Sequence, residues 1–178
     1  RLDGLFHRLG SHPCFTIGRV QGVALGGGAG LVACLDHVIA EPNTKIALSE
    51  VKLGILPAVI GPYVYKRLGS ANFRRHSMLA GKIDSNEALR VGFIDQLVDS
   101  ESSLATASVE VAEEILTSAP TAVSRVKGLT ARLDNWDGTD EALRSWTLDL
   151  TSEMRGSVEG QEGLSAFLEK RDPSWKKH

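Results

Sequence analysis

The chain has 178 residues, a formal net charge of −2, 42% hydrophobic and 24% charged residues, ordinary values for a globular domain with a substantial core. That charge gives no sign of a nucleic-acid or membrane surface, and no apolar run approaches the roughly 18 residues of a membrane-spanning helix. Arg1–Gly10 does not resemble a secretory signal, and a chain that opens on Arg1 reads as a processed, truncated or incompletely observed product. Cys14 and Cys34 lack metal-type or redox-type spacing, so both are expected to be small buried hydrophobes in a reducing compartment.

Leu2, Leu5, Phe6 and Leu9 have helical spacing, and Gly10 with Pro13 ends that helix. Cys14 to Val20 alternates as a strand does. Gln21 to Gly26 reads as a loop, and Gly27 or Gly28 opens a short helix. Two short strands, His37 to Ala40 and Lys45 to Leu48, flank the turn Glu41-Pro42-Asn43-Thr44. Gly54, Pro57 and Gly61 punctuate a loop before a helix ending near Leu68-Gly69. Ser70 is placed to cap a helix to Leu79, and Ser85 another that Gly92 stops. Phe93 to Val98 is the last expected strand. Beyond Ser102 only helical stripes follow: Leu104, Val111 and Ile115; Val123, Val126, Leu129 and Leu133; Leu143, Trp146, Leu150 and Met154; Leu164, Phe167 and Leu168. The expected division is therefore an α/β part, residues 1–101, and a helical part, residues 102–178.

The chemistry concentrates in Gly22–Pro57. Gly26, Gly27 and Gly28 stand between an apolar strand and a helix start, where a backbone must bend sharply or approach a ligand. A helix start offers unpaired N–H groups to an oxygen that gains negative charge. Glu50 closes the run KIALSE, and a carboxylate beside such donors is a natural proton carrier. Donors plus one acid point to chemistry beside a carbonyl. Gly28-Ala29-Gly30-Leu31-Val32-Ala33 also fits a dinucleotide fingerprint, but its strand ends too early and two strands precede Glu50, so nicotinamide or flavin binding is set aside. His7, His12, His37, His76 and His178 share no metal-ligand spacing, and no metal is assigned.

The segment from Arg19 to Gly69, with LAGKIDSNEALRVGFIDQLV and GLSAFLEKRDPSW after it, resembles the crotonase superfamily, the enoyl-CoA hydratase/isomerase family. The resemblance implies a crotonase-like β-β-α spiral core, here partial, followed by a C-terminal helical trimerisation region. It implies an acyl-CoA substrate, no further cofactor because coenzyme A is part of that substrate, and a homotrimer or dimer of trimers. The family's N-terminal portion, with several core strands, much of the adenine pocket and a second oxyanion donor, is missing from this sequence. A cytoplasmic enzyme is expected, with the mitochondrial matrix as the alternative.

By the same resemblance Gly27 is the residue whose N–H binds the thioester oxygen, and Glu50 exchanges a proton with the α-carbon. Gly26, Gly28, Gly30, Leu53 and Pro57 are expected around the bound acyl group. Phe167 and Lys170 would reach a neighbouring copy's acyl pocket and coenzyme A phosphates. Asp36 is expected to be structural. Hydratases of the family carry a second glutamate where this chain has Gly30, which leaves hydration by Glu50 alone, hydration by Glu50 with another group's help, or isomerisation by a single acid. ALSEVKLGILPAVIGPYV most resembles 3-methylglutaconyl-CoA and related branched glutaconyl-CoA hydratases of leucine or acyclic-terpene breakdown. A substrate with its own distal carboxylate would be repelled by a second glutamate, so Gly30 is expected to remove that charge and open room. Arg67, Lys66, Arg74 and Arg75 are the open choices for binding that carboxylate, or are solvated helix charges. The reading of another class is a non-catalytic acyl-CoA or RNA-binding homologue. A net charge of −2 without a basic-aromatic stripe speaks against nucleic acid.

Overall fold

The computed structural model describes residues 1–176. Its contacts form two compact units, Arg1–Ala112 and a second from Glu113 onward; the residue pattern changes earlier, after residue 101. In the first unit α1 (Leu2–Gly10) precedes β1 (Ile17–Val20), β2 (Val23–Leu25) and α2 (Gly27–Ala33). Then come β3 (His37–Ala40), β4 (Lys45–Ala47) and one turn of 3-10 helix, Glu50–Leu53. α3 (Gly61–Leu79), β5 (Ile83–Asp84), α4 (Ser85–Arg90) and β6 (Gln96–Leu97) follow, and α5 (Ser103–Ile115) runs across the boundary. The second unit holds α6 (Pro120–Asp134), α7 (Asp140–Gly156) and α8 (Val158–Glu169).

The strands wind as a spiral. β1, β3 and β6 form one parallel sheet, while β2 pairs parallel with β4 and β4 antiparallel with β5. Each turn of chain thus gives one strand to each sheet. The result is the α/β spiral core with C-terminal helices that the sequence implied. Phe6, Val38, Ile46, Leu48, Val64 and Phe93 are fully buried in the main core, so α1, both sheets and α3 share one apolar interior. Phe6 holds α1 there although Leu2 and Leu5 are about half exposed.

The corner between β3 and β4 is built on a buried acid. Glu41 accepts from the N–H groups of Gly22 (3.2 Å) and Asn43 (2.6 Å), and Thr44 Oγ1 donates to Val20 O at 3.0 Å. These donors, the Asn43 N–H above all, hold the Glu41 carboxyl below its usual range.

Several elements differ from expectation. Val23–Leu25 is a strand rather than loop, and Ile83–Asp84 is a second unforeseen strand, because partners far along the chain complete them. The first strand starts at Ile17, not Cys14, and Cys14 is exposed whereas Cys34 is buried. α3 is two helical runs that meet at a kink, as expected: Gly69, whose φ of 71° a glycine adopts without strain, has non-helical backbone between them. Asp84, not Ser85, caps α4 by accepting from Glu87 N–H at 2.9 Å, while Ser85 Oγ donates to Pro42 O at 2.9 Å. No helix among the described residues is long and apolar enough to cross a membrane.

Glu87 joins α3 to α4. It accepts from Arg90 at 2.5 and 2.7 Å and from Arg75, and the Arg90 bond chiefly lowers its carboxyl to about 2. An unfolded glutamate titrates at about 4.3, so the stabilisation is complete above that pH and disappears as pH falls towards the folded value. The stability difference between wild type and Glu87→Gln, from denaturant melts, is therefore expected to hold constant at neutral pH and vanish near pH 2.

Candidate active site

Two neighbouring strand ends build the site. β2 and β4 run in parallel with Val23 opposite Lys45 and Leu25 opposite Ala47. The ladder goes one bond further, with Gly26 N–H donating to Ala47 O at 3.0 Å. There the chain turns: Gly26 has φ 49° and ψ −113°, a left-handed conformation an L side chain rarely adopts. Its carbonyl accepts the first bond of α2, from Gly30 N–H at 3.0 Å. The first N–H groups of a helix have no acceptor inside it, and here they belong to Gly27 and Gly28.

Glu50 leaves the end of β4 beside this corner. A Cβ built on Gly26 would lie 3.3 Å from Glu50 Oε1 and 4.0 Å from Ser49 Oγ. Only a bare backbone lets the carboxylate come so close. Ile55 N–H closes the loop onto Glu50 O at 3.2 Å, and Gly54 ends the 3-10 turn with φ 74°. Glu50 Oε2 is buried and has no hydrogen-bond partner among the described residues. Buried polar atoms are nearly always paired, so a lone carboxylate oxygen is a place kept for a ligand proton or water. An electrophilic helix start and an unpaired carboxylate at one corner can polarise a carbonyl and move a proton next to it.

A cleft of about 450 Å³ opens just past Glu50, lined by Val51, Leu56, Pro57, Phe73, Arg74 and Ser77 among others. Pro57 therefore lines it, while Leu53 is 76% exposed and does not. Asp36 accepts from the N–H and hydroxyl of Thr16 at 2.7 and 2.8 Å, which ties β1 to β3 and makes Asp36 structural. Phe167, 81% exposed, and Lys170, the left-handed end of α8 with φ 54°, belong to the second unit. Among the described residues no group of three His, Cys, Asp or Glu could hold a metal, and His178 lies outside those residues.

Gly30 does not open room. A Cβ there would stand 2.5 Å from Ile60 Cγ2 and 3.0 Å from Phe6 Cζ. The space is filled by two core side chains, both at most 2% exposed. The sequence carries no local sign of this, because Ile60 and Phe6 come from distant segments. Ser77 and Phe73 were also missed; their spacing on α3 was the available signal.

The sequence profile described as Enoyl-CoA hydratase/isomerase matches residues 1–178. The chain belongs to the enoyl-CoA hydratase/isomerase family. It is 34% identical over 165 residues to a carnitinyl-CoA dehydratase of Citrobacter koseri, covering 90% of this chain and 62% of that protein. The crystal structure of an enoyl-CoA hydratase from Shewanella pealeana superposes with a TM-score of 0.91 at 38% identity, over 98% of this chain and 64% of that one. Pseudomonas aeruginosa AtuE gives 0.91 at 33% identity, over 99% and 67%. The chain thus spans about two thirds of the family members it matches.

The Gly30 packing yields a test. Glycine to alanine in a helix gains about 1 kcal/mol of propensity, but overpacking a core costs about 1–3 kcal/mol, and Ile60 is β-branched and buried. Gly30→Ala is expected to destabilise the protein in denaturant melts and to become neutral or stabilising in an Ile60→Ala background. Stabilisation of the wild type by Gly30→Ala would contradict the packing.

Proposed function

We propose that the protein is an acyl-CoA hydro-lyase, which adds water across the double bond of a 2-enoyl thioester or removes it in reverse. The observation that carries this is the position of Glu50 Oε1, 3.3 Å from where a Gly26 Cβ would stand, with Oε2 buried and unpaired. The Gly27 N–H donates to the thioester oxygen, a contact that strengthens as that oxygen becomes an enolate. One such donor contributes on the order of 3 kcal/mol to lowering the barrier. Glu50 takes a proton from water as the water oxygen bonds to C3 and the double-bond electrons move toward the thioester oxygen. It then returns that proton to C2, and the carbonyl re-forms. Family membership supports the reaction class.

The acyl group is of the 3-methylglutaconyl type, in leucine or acyclic-terpene catabolism. Two things support this: the resemblance carried by residues 47–64, and packing around Gly30 that leaves no place for a second carboxylate. That packing also favours the rival reading, an enoyl-CoA isomerase in which Glu50 carries a proton between carbons and no water adds. A homotrimer or dimer of trimers is part of the proposal. Its support is the exposed apolar surface of α8, with Phe167 at 81% and Leu168 at 78%.

The test is turnover of crotonyl-CoA, 3-methylglutaconyl-CoA and a 3-enoyl-CoA by the full-length protein, with products read by mass. Water gain from the 2-enoyl thioesters is expected, falling about 10²- to 10⁴-fold in kcat for Glu50→Gln with unchanged thermal stability. Double-bond migration without water gain makes the protein an isomerase. No product from any of the three overturns the enzyme reading.

A further inference from the structure

We propose that the cleft past Glu50 is a subsite for an anionic end of the acyl group, gripped by Arg74 and Ser77. This rests on the acyl-CoA reading of Glu50, because Val51, the residue after that acid, lines the cleft, and residues 56–58 of its wall follow a few positions on. The lining is otherwise apolar, with Leu56, Pro57 and Phe73, the usual make-up of a small-molecule pocket that fixes its ligand by a few polar groups. Arg74 and Ser77 lie three residues apart on α3 and so share a face.

Neither polar group has a protein partner among the described residues. Ser77 is 8% exposed, and its hydroxyl has no hydrogen bond among the described residues. A helical serine ordinarily donates to a carbonyl one turn back, so a buried hydroxyl without that bond is costly until a ligand oxygen pairs with it. The other basic side chains of α3 are engaged. Arg67 donates to Phe93 O and Leu35 O, both at 2.8 Å, and to Asp95; Arg75 pairs with Glu87; Lys66 has an interaction of its own. Arg74 has none among the described residues. Of the four cations along this helix it alone combines an unused guanidinium with a place on the cleft wall.

The ligand class follows from that pair. A guanidinium offers a planar fork that fits two carboxylate oxygens, and a serine hydroxyl can donate a further bond. An alkyl end would leave the buried Ser77 hydroxyl unpaired and give the Arg74 guanidinium nothing but water, and a quaternary ammonium end would face a like charge.

Saturated thioesters have no double bond to hydrate, so they report binding without turnover. Calorimetric titration of the full-length protein would use glutaryl-CoA, butyryl-CoA and γ-butyrobetainyl-CoA, whose acyl ends are anionic, neutral and cationic. The wild type is expected to bind glutaryl-CoA about tenfold or more tighter than butyryl-CoA, and γ-butyrobetainyl-CoA weakest. Arg74→Leu is expected to abolish the preference and leave butyryl-CoA affinity unchanged, and Ser77→Ala to reduce the preference. Arg74 is exposed, so its loss does not threaten the core. Equal binding of butyryl- and glutaryl-CoA by the wild type, or a preference that survives Arg74→Leu, overturns the subsite and leaves the acyl-CoA reading standing. Binding of none of the three overturns the acyl-CoA reading and the subsite with it.

Discussion

A left-handed corner at Gly26 is the constraint on which the site depends. Its N–H ends the β2–β4 ladder at Ala47 O, and its carbonyl starts α2 through Gly30 N–H. One residue therefore closes a parallel strand and opens a helix. Any side chain would be strained at φ 49° and would press on the Glu50 carboxylate. The parallel register brings Gly26 and Glu50 out at the same edge, although 24 residues separate them in the sequence. Ligand sites in parallel sheets lie at the carboxyl ends of the strands, and this one does too.

Two partly or fully buried carboxylates in this unit differ in their partners. Glu41 is fully engaged by the backbone of Gly22 and Asn43 and by Thr44, so its charge is spent on holding the β3–β4 corner. Glu50 has a buried oxygen with no partner among the described residues. Burial alone does not tell a structural acid from a reactive one; the donors around it do.

Much of this was legible in the sequence. The glycine triplet and Glu50 stood out because a sharp strand-to-helix turn and a lone acid are local signals. The helices after residue 102 were legible because their stripes repeat every turn, and Gly69 marked the bend in α3. What was not legible depends on partners elsewhere in the chain. Val23–Leu25 is too short to read as a strand until Lys45–Ala47 lies beside it. Ser85 and Asp84 are both good helix caps, and only the contact of Ser85 with Pro42 decides between them. Gly30 read as open space because a missing side chain looks empty in sequence, whereas Ile60 and Phe6 fill the place. Arg74 could not be told from its basic neighbours until Arg67 and Arg75 were seen to be paired.

On the proposed reading, the Gly26 corner and Glu50 form one device that polarises a thioester and moves its α-proton. It is tested most directly by incubating the full-length protein with butyryl-CoA in heavy water and following deuterium at the α-carbon by NMR. Nothing can add to that saturated acyl group, so only the polarising turn and the acid are read. Protein-dependent exchange is expected at the α-carbon and none at the β-carbon. Tight binding of butyryl-CoA with no α-exchange above the protein-free rate would contradict it.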